Sequence, residues 1–276
     1  MSIQNHLCHN GKIISADQTL IEADNRAFRY GDGLFETMRY VDGNIPLASY
    51  HFSRLFRGLQ TLFFDAPSYY TEEYFIKQII ELCKKNEHNP ARVRLMIYRG
   101  NGSIKDPQNH FPYYIIQTWS LPNRRWQWNE NGLVLGVCSE IKKSYDTLSS
   151  LKHNNHLPYL YAAHYAQQQQ WNDAIILNTS DRIVDTSIAN VFIIKNDTII
   201  TPSLSEACVA GTVRQYLIDQ LSTTFSIREA SITVQDMEEA NEVFLTNAIR
   251  GVQWVKTCNE KTYANNIAKK VFEYLM

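Results

Sequence analysis

From residue 91 to residue 98 the chain alternates, with Val93, Leu95 and Ile97 on one face. A period of two over that length is a strand with one side against a core. Such a strand needs neighbours, and the flanking sequence offers them. Residues 7–14 read as a hairpin turning at Asn10-Gly11, the strongest short turn signal. Residues 34–41 and 113–119 read as further strands. Asp42-Gly43 marks another turn, and the chain then enters a segment, 48–63, with Leu55, Leu59 and Leu62/Phe63 at helical spacing. Residues 70–85 form a second amphipathic helix. Leu121-Pro122-Asn123-Arg124-Arg125 joins a proline to a charge cluster. The expected division is a smaller N-terminal domain 1–120, a linker 121–125 and a larger C-terminal domain 126–276.

The second half repeats the mixture. Strands are expected at 132–138, 173–178, 190–194, 198–201 and 242–245, and helices at 159–170, 213–221 and 265–275. Several polar groups sit where these elements begin or end. Lys152 lies in Ser149-Ser150-Leu151-Lys152-His153-Asn154-Asn155-His156-Leu157-Pro158. A lysine amine does covalent chemistry when its surroundings keep part of it neutral; a solvated surface lysine is the other reading. Arg54 and Arg57, three apart on a helix, read as a solvated pair without further context. Asp185 to Asn190 is polar and leads straight into a buried strand, which suggests a polar site or an ordinary loop. Gly211-Thr212 precedes a helix, so it is either a plain N-cap or an anion site made of free amides. Thr246-Asn247 puts polar groups at a strand end. Gly31 and Gly33 bracket Asp32 in a tight turn.

Composition excludes some classes. The 276 residues carry a formal net charge of −1 and 12% aromatics, a globular composition with no basic stripe for nucleic acid or a membrane surface. The N-terminal residues lack the basic start and apolar run of a signal peptide, and no apolar stretch approaches the ~18 residues of a spanning helix. Five scattered cysteines without a CxxC pair read as reduced thiols in a cytoplasmic protein, with no structural zinc site.

Taken in order, the polar motifs resemble one family. They are Tyr30-Gly31-Asp32-Gly33-x-Phe35-Glu36, His51-x-x-Arg54-Leu55, Lys152 followed by Asn155, Val184-Asp185-x4-Asn190-Val191-Phe192, Gly211-Thr212-Val213-Arg214 and Thr246-Asn247-Ala248. The chain resembles the class IV (fold type IV) pyridoxal-phosphate enzymes over about residues 10–255. This group holds the branched-chain aminotransferases, the D-amino-acid aminotransferases and the 4-amino-4-deoxychorismate lyases. The resemblance implies an α+β fold of two domains with the cofactor, pyridoxal 5′-phosphate, at their junction, and a homodimer. It implies that Lys152 carries the cofactor as an internal Schiff base and shuttles the proton. Arg54 would clamp the phosphate, with Gly211, Thr212, Val213, Thr246 and Asn247 completing the cradle. Asp185 stands where most of the family has glutamate and would pair with the pyridine nitrogen, one methylene shorter; Asn190 follows it in the same motif.

Details point within the family. Pro107-Gln108-Asn109-His110 has glutamine where the D-amino-acid enzymes have an arginine, and Gln108 cannot form a charged fork with a carboxylate. Lys152-His153-x-Asn155, Gly211-x-x-Arg214-Gln215 and Asn247-Ala248 look most like the aminodeoxychorismate lyases, which release pyruvate and 4-aminobenzoate. That small amino substrate bears two carboxylates. Arg29, Arg99 and Arg250 are candidate partners for them, or else structural ion pairs; Phe35 lies near the site by analogy. An amino-acid transaminase is the alternative, and a non-catalytic homologue a third reading.

Overall fold

The computed structural model describes residues 5–106, 110–222 and 224–276. Gln108 and the first four residues, on which two of the readings above depend, lie outside them. Two compact units divide the chain: Met1–Arg124 with Leu151–Asn155, and Arg125–Ser150 with His156–Met276.

In the first unit β1 (His6–His9) and β2 (Lys12–Ser15) form the hairpin, with Asn10 at φ 49° and Gly11 at φ 82°, left-handed values that these two residues adopt most readily. A short helix not foreseen in the sequence, α1 (Arg26–Tyr30), starts where the Asn25 side chain accepts from the Ala27 and Phe28 amides and stops at left-handed Gly31. Then come β3 (Gly33–Tyr40), α2 (Ala48–Thr61), α3 (Glu72–Lys85), β4 (Ala91–Tyr98) and β5 (Tyr113–Ser120). The strands make one antiparallel sheet in the order β2-β1-β5-β4-β3. Phe52, Leu55 and Leu59 of α2 and Phe75, Ile79 and Leu82 of α3 share a core with Leu34, Met38, Val93, Leu95 and Ile97. Burial of each such side chain contributes about 1.5–3 kcal/mol. Thr71 caps α3 by accepting from the Tyr74 amide, and Glu72 and Glu73 in the first turn with Lys84 and Lys85 in the last suit its dipole.

Leu151–Asn155 belongs to this unit, although the sequence places it in the domain 126–276. Hydrogen bonding is the reason. β3 is an edge strand. The Phe35 amide donates to the Lys152 carbonyl (2.9 Å), the Asn154 amide donates to the Gly33 carbonyl (2.9 Å), and Leu34 bridges antiparallel to His153. Leu151 is buried in the same core. The lysine segment thus covers an open edge through one isolated antiparallel bridge.

The second unit holds β6 (Leu133–Lys143), α4 (Leu157–Gln168), β7 (Asp173–Asn178), β8 (Ile183–Thr186), β9 (Asn190–Lys195), β10 (Thr198–Pro202), α5 (Thr212–Leu221), β11 (Ser226–Ala230), α6 (Val234–Glu238), β12 (Glu242–Asn247), β13 (Gly251–Cys258), β14 (Lys261–Thr262) and α7 (Asn266–Leu275). The strand order is β11-β10-β9-β12-β13-β6-β7-β8, and β8 also pairs with β9. The six strands from β9 round to β8 therefore close on themselves, and the closing register is Asp185 opposite Asn190. β6 runs parallel to β13 and β7, as β10 does to β11; the other pairs are antiparallel. β7 is buried along its whole length, as is β9 up to its last residue, which explains their continuous apolar runs. β11 escaped the sequence reading because it is an edge strand with a mostly exposed, polar sequence. No helix among the described residues is long and apolar enough to cross a membrane.

Candidate active site

Lys152 reaches the sheet of the first unit from that bridged segment. Its Nζ lies 4.6 Å from the centre of the Phe35 ring, and the Arg94 guanidinium lies 4.1 Å from the same ring. Both distances are within cation–π range. Alternation on β4 sends Val93, Leu95 and Ile97 to the core and Arg92, Arg94 and Met96 to the other face. On β3 that second face carries Phe35, Thr37 and Arg39, which register with Met96, Arg94 and Arg92. The Nε groups of Arg92 and Arg94 are buried and have no hydrogen-bond partner among the described residues. Neither arginine was singled out in the sequence. The signal was available: basic residues on the polar face of the strand whose apolar face was read correctly.

Glu36, the neighbour of Phe35, points to the opposite face and meets α2. Arg54 Nε donates to Glu36 Oε1 (2.8 Å) and Nη2 to Oε2 (2.5 Å), while His51 Nδ1 lies 2.7 Å from Oε2. Burial would raise the Glu36 carboxyl; the Arg54 charge and the bonds from His51 and Arg54 outweigh it and hold the group at about 2. An ionised carboxylate only accepts, so His51 Nδ1 carries the proton. Burial keeps His51 below its ordinary range, so it is neutral at pH 7. Arg54 is not the solvated half of an arginine pair: it is 8% exposed, whereas Arg57 faces solvent.

Arg99 is held at its two terminal nitrogens. Its Nη1 donates to Asp32 Oδ1 (2.7 Å), and its Nη2 to the carbonyls of Leu62 and Phe63. Asp32 Oδ2 is paired with Arg26 (2.8 Å). Of the two readings left open for Arg99, the structural ion pair is the one the geometry supports. Arg29 is exposed on α1 beside the Tyr30 ring. Arg250 is also exposed, and its amide donates to Asn247 Oδ1.

In the second unit Asp185 is 2% exposed. Its Oδ1 accepts from Asn190 Nδ2 (2.8 Å), and its Oδ2 from the Tyr159 hydroxyl (2.9 Å) and the Val209 amide (3.0 Å). Burial pushes this carboxyl above its usual range against the nearby Lys143 charge. Asn190 also donates to the Val209 carbonyl (2.8 Å) and stands opposite Thr246 on β12. Thr246 is 2% exposed, and its Oγ1 has no hydrogen-bond partner among the described residues. A Cβ at position 211 would lie 1.8 Å from Asn190 Oδ1, so Gly211 is there because nothing larger fits. Thr212 and Val213, both buried, open α5, whose first turn has no side-chain cap. Asn247 Oδ1 accepts from the Ile249 and Arg250 amides and so holds its own turn.

These groups suit pyridoxal phosphate. Asp185 Oδ1 accepts a single hydrogen bond among the described residues and has a lone pair left for a ring N–H. The Thr246 hydroxyl and the uncapped amides of α5 suit an anion. No cluster of three or more His, Cys, Asp or Glu side chains among the described residues could hold a metal, and all five cysteines are free and buried.

A sheet unit bearing Lys152 and a closed sheet bearing Asp185, Asn190 and an uncapped glycine-led helix define a fold type IV pyridoxal-phosphate enzyme. The chain matches the amino-transferase class IV family over residues 33–258, and it belongs to that family. It is 30% identical to an aminodeoxychorismate lyase from Vibrio harveyi, over 85% of this chain and 86% of that one. It is 26% identical to a D-alanine aminotransferase from Listeria monocytogenes, over 86% and 82%. The branched-chain amino acid aminotransferase from Escherichia coli superposes with a TM-score of 0.86 at 18% identity, over 98% of this chain and 92% of that one.

Proposed function

We propose that the chain is a 4-amino-4-deoxychorismate lyase that releases pyruvate and 4-aminobenzoate, working as a cytoplasmic homodimer. The observation that carries this reading is the sheet face where Lys152 Nζ and Arg94 flank the Phe35 ring and Arg92 and Arg39 follow in register. A substrate with two carboxylates needs more than one fixed cation, and guanidinium groups bind carboxylates in planar, two-point fashion. The similarity to the Vibrio harveyi lyase supports the same assignment.

Pyridoxal phosphate, when bound, supplies the electron sink that stabilises negative charge at the substrate α-carbon. The chain does the rest. Lys152 Nζ would hold the cofactor and, as a neutral amine, take the substrate α-proton. Asp185 would face the pyridine nitrogen and favour its protonated form. Thr246, Asn247, Gly211, Thr212 and Val213 would hold the phosphate, and Arg54, which Glu36 orients, would supply its cation. Arg94 and Arg92 grip the carboxylates, and Phe35 packs against the substrate ring. Loss of that proton would break the ring-carbon–oxygen bond to the enolpyruvyl group and aromatise the ring, and Lys152 would pass the proton to the methylene carbon of the departing group, which leaves as pyruvate.

An amino-acid transaminase is the second reading, favoured by the similarity to D-alanine aminotransferase. In that reading Lys152 would move the same proton without loss of a leaving group, and a keto acid would be the product. A panel of 4-amino-4-deoxychorismate against branched-chain, aromatic and D-amino acids separates the two. Turnover of the first compound alone, with the cofactor absorbance unchanged by amino acids in the absence of an acceptor, is the expected result. Full conversion to the pyridoxamine form would favour the transaminase. Borohydride treatment should attach the cofactor covalently to Lys152, as read by peptide mass, and Lys152→Ala should lose both the attachment and turnover.

A further inference from the structure

β6 is irregular against β7: Cys138 stands opposite Ile176, yet Lys142 stands opposite Leu177. A bulge of this kind re-aims the side chains that follow it. After it Lys142 points outward to Asp181 (2.6 Å), and Lys143 is buried, 7% exposed, and reaches Tyr159 of α4. The Lys143 ammonium donates to the Ser149 carbonyl (2.8 Å), the Ala207 carbonyl (2.5 Å) and the Tyr159 hydroxyl (2.5 Å). All three of its donors are used. Its Nζ is 3.8 Å from Asp185 Oδ2, too far for a hydrogen bond but close for a charge pair.

Tyr159 joins the two. Its oxygen accepts from Lys143, so its own proton must point the other way, onto Asp185 Oδ2. The charged lysine therefore fixes the orientation of a donor on the carboxylate and places a positive charge beside it. Burial works against both charges, lowering the Lys143 amine and raising the Asp185 carboxyl, and each is opposed by the other's charge. We propose that Lys143, acting through Tyr159, is the positioning residue that keeps Asp185 ionised and aimed, so that the shortened carboxylate can serve the pyridine nitrogen. The inference rests on the pyridoxal-phosphate reading above. Without Lys143 the buried carboxylate would take up a proton or turn, and its free Oδ1 lone pair would no longer meet a protonated ring nitrogen as an anion.

A double-mutant cycle tests it on the full-length chain with Lys143→Met, Asp185→Asn and the double variant. Two quantities are read: the unfolding midpoint of the unloaded chain, and the dissociation constant and pH titration of absorbance for added pyridoxal phosphate. Lys143→Met alone should weaken cofactor binding by ~10-fold or more and shift the absorbance titration; a tenfold change corresponds to about 1.4 kcal/mol. In the Asp185→Asn background the same substitution should cause no loss of binding. The double variant should be more stable than either single one, because neither charge is then left buried alone. Equal losses in both backgrounds, or an unshifted titration, would mean that Lys143 only braces the two carbonyls, and would overturn the proposal. So would a double variant that fails to fold or is less stable than both single ones. A wild-type chain that takes up no pyridoxal phosphate would sink the functional reading instead, while the stability cycle would still measure the coupling.

Discussion

Two arginines one strand-end apart show what a residue's neighbours decide. Both have a buried Nε that no described residue satisfies, but Arg94 lies beside the Phe35 ring, whereas Arg99 gives its terminal nitrogens to Asp32 and two backbone carbonyls. The sequence names Arg99, with Arg29 and Arg250, as a candidate carboxylate partner or else a structural ion pair. It passes over Arg94, because a polar residue on an alternating strand looks like a solvent face. What separates them is which side chain fills the space opposite, and that is set by pairing with β3. The two should separate in kinetics. Arg94→Met is expected to raise KM for the carboxylate-bearing substrate by at least ~10-fold, the loss of a charge-assisted pair, with the unfolding midpoint nearly unchanged. Arg99→Met is expected to do the reverse, lowering stability by about 3–5 kcal/mol by leaving Asp32 with one partner fewer and two carbonyls unpaired. Steady-state kinetics and denaturant unfolding of both variants check this; a large KM effect confined to Arg99→Met would return the carboxylate role to it.

At the scale of elements, the site is built where strands and helices meet by polar contacts, and these were legible only as motifs. His51-x-x-Arg54 places both side chains on one face of α2, and alternation sends Glu36 of β3 toward them. The spacing was visible; that Arg54 would be buried against a carboxylate was not, since helix periodicity does not say which strand lies beneath. The Glu36 carboxyl is held at about 2 rather than 4.5. A depressed carboxyl contributes stability that is complete above 4.5 and is lost as pH falls from there through about 2. Acid unfolding of the wild type should therefore steepen across that window, and Glu36→Gln should flatten it while costing about 3–5 kcal/mol at neutral pH. The close approach of Gly211, at the start of α5, to Asn190 of β9 is equally local. Gly211→Ala would drive a methyl group into Asn190 Oδ1, 1.8 Å away, and Asn190 is the residue that holds Asp185. A stability loss of at least about 1–3 kcal/mol, together with weaker uptake of pyridoxal phosphate, is expected; calorimetry and an absorbance titration would read the two.

At the scale of the whole chain, composition and periodicity yielded most of the strands and helices, and the ordered motifs yielded the family. Topology was the hidden part. Nothing in residues 183–195 announces that β8 and β9 close a ring of strands at Asp185 and Asn190, because closure is a property of partners far apart in sequence. Nor does the lysine stretch announce that it leaves one unit at Ser150, pairs with β3 of the other over Leu151–Asn155 and returns at His156. Read from the sequence it was a polar loop ahead of a helix. A free loop and a segment bridged to an edge strand differ in what they do to amide exchange. Here the Asn154 amide donates to the Gly33 carbonyl and the Phe35 amide to the Lys152 carbonyl, each at 2.9 Å. Both amides should therefore exchange as slowly as others on β3, through the same cooperative opening. A loop would leave the Asn154 amide exchanging as fast as those of exposed turns. Exchange measured by NMR on the full-length chain separates these outcomes at single amides. The bridge is also the more demanding arrangement for chemistry: the two backbone hydrogen bonds, one at the Lys152 carbonyl and one at the Asn154 amide, fix the backbone from which the Lys152 amine must reach.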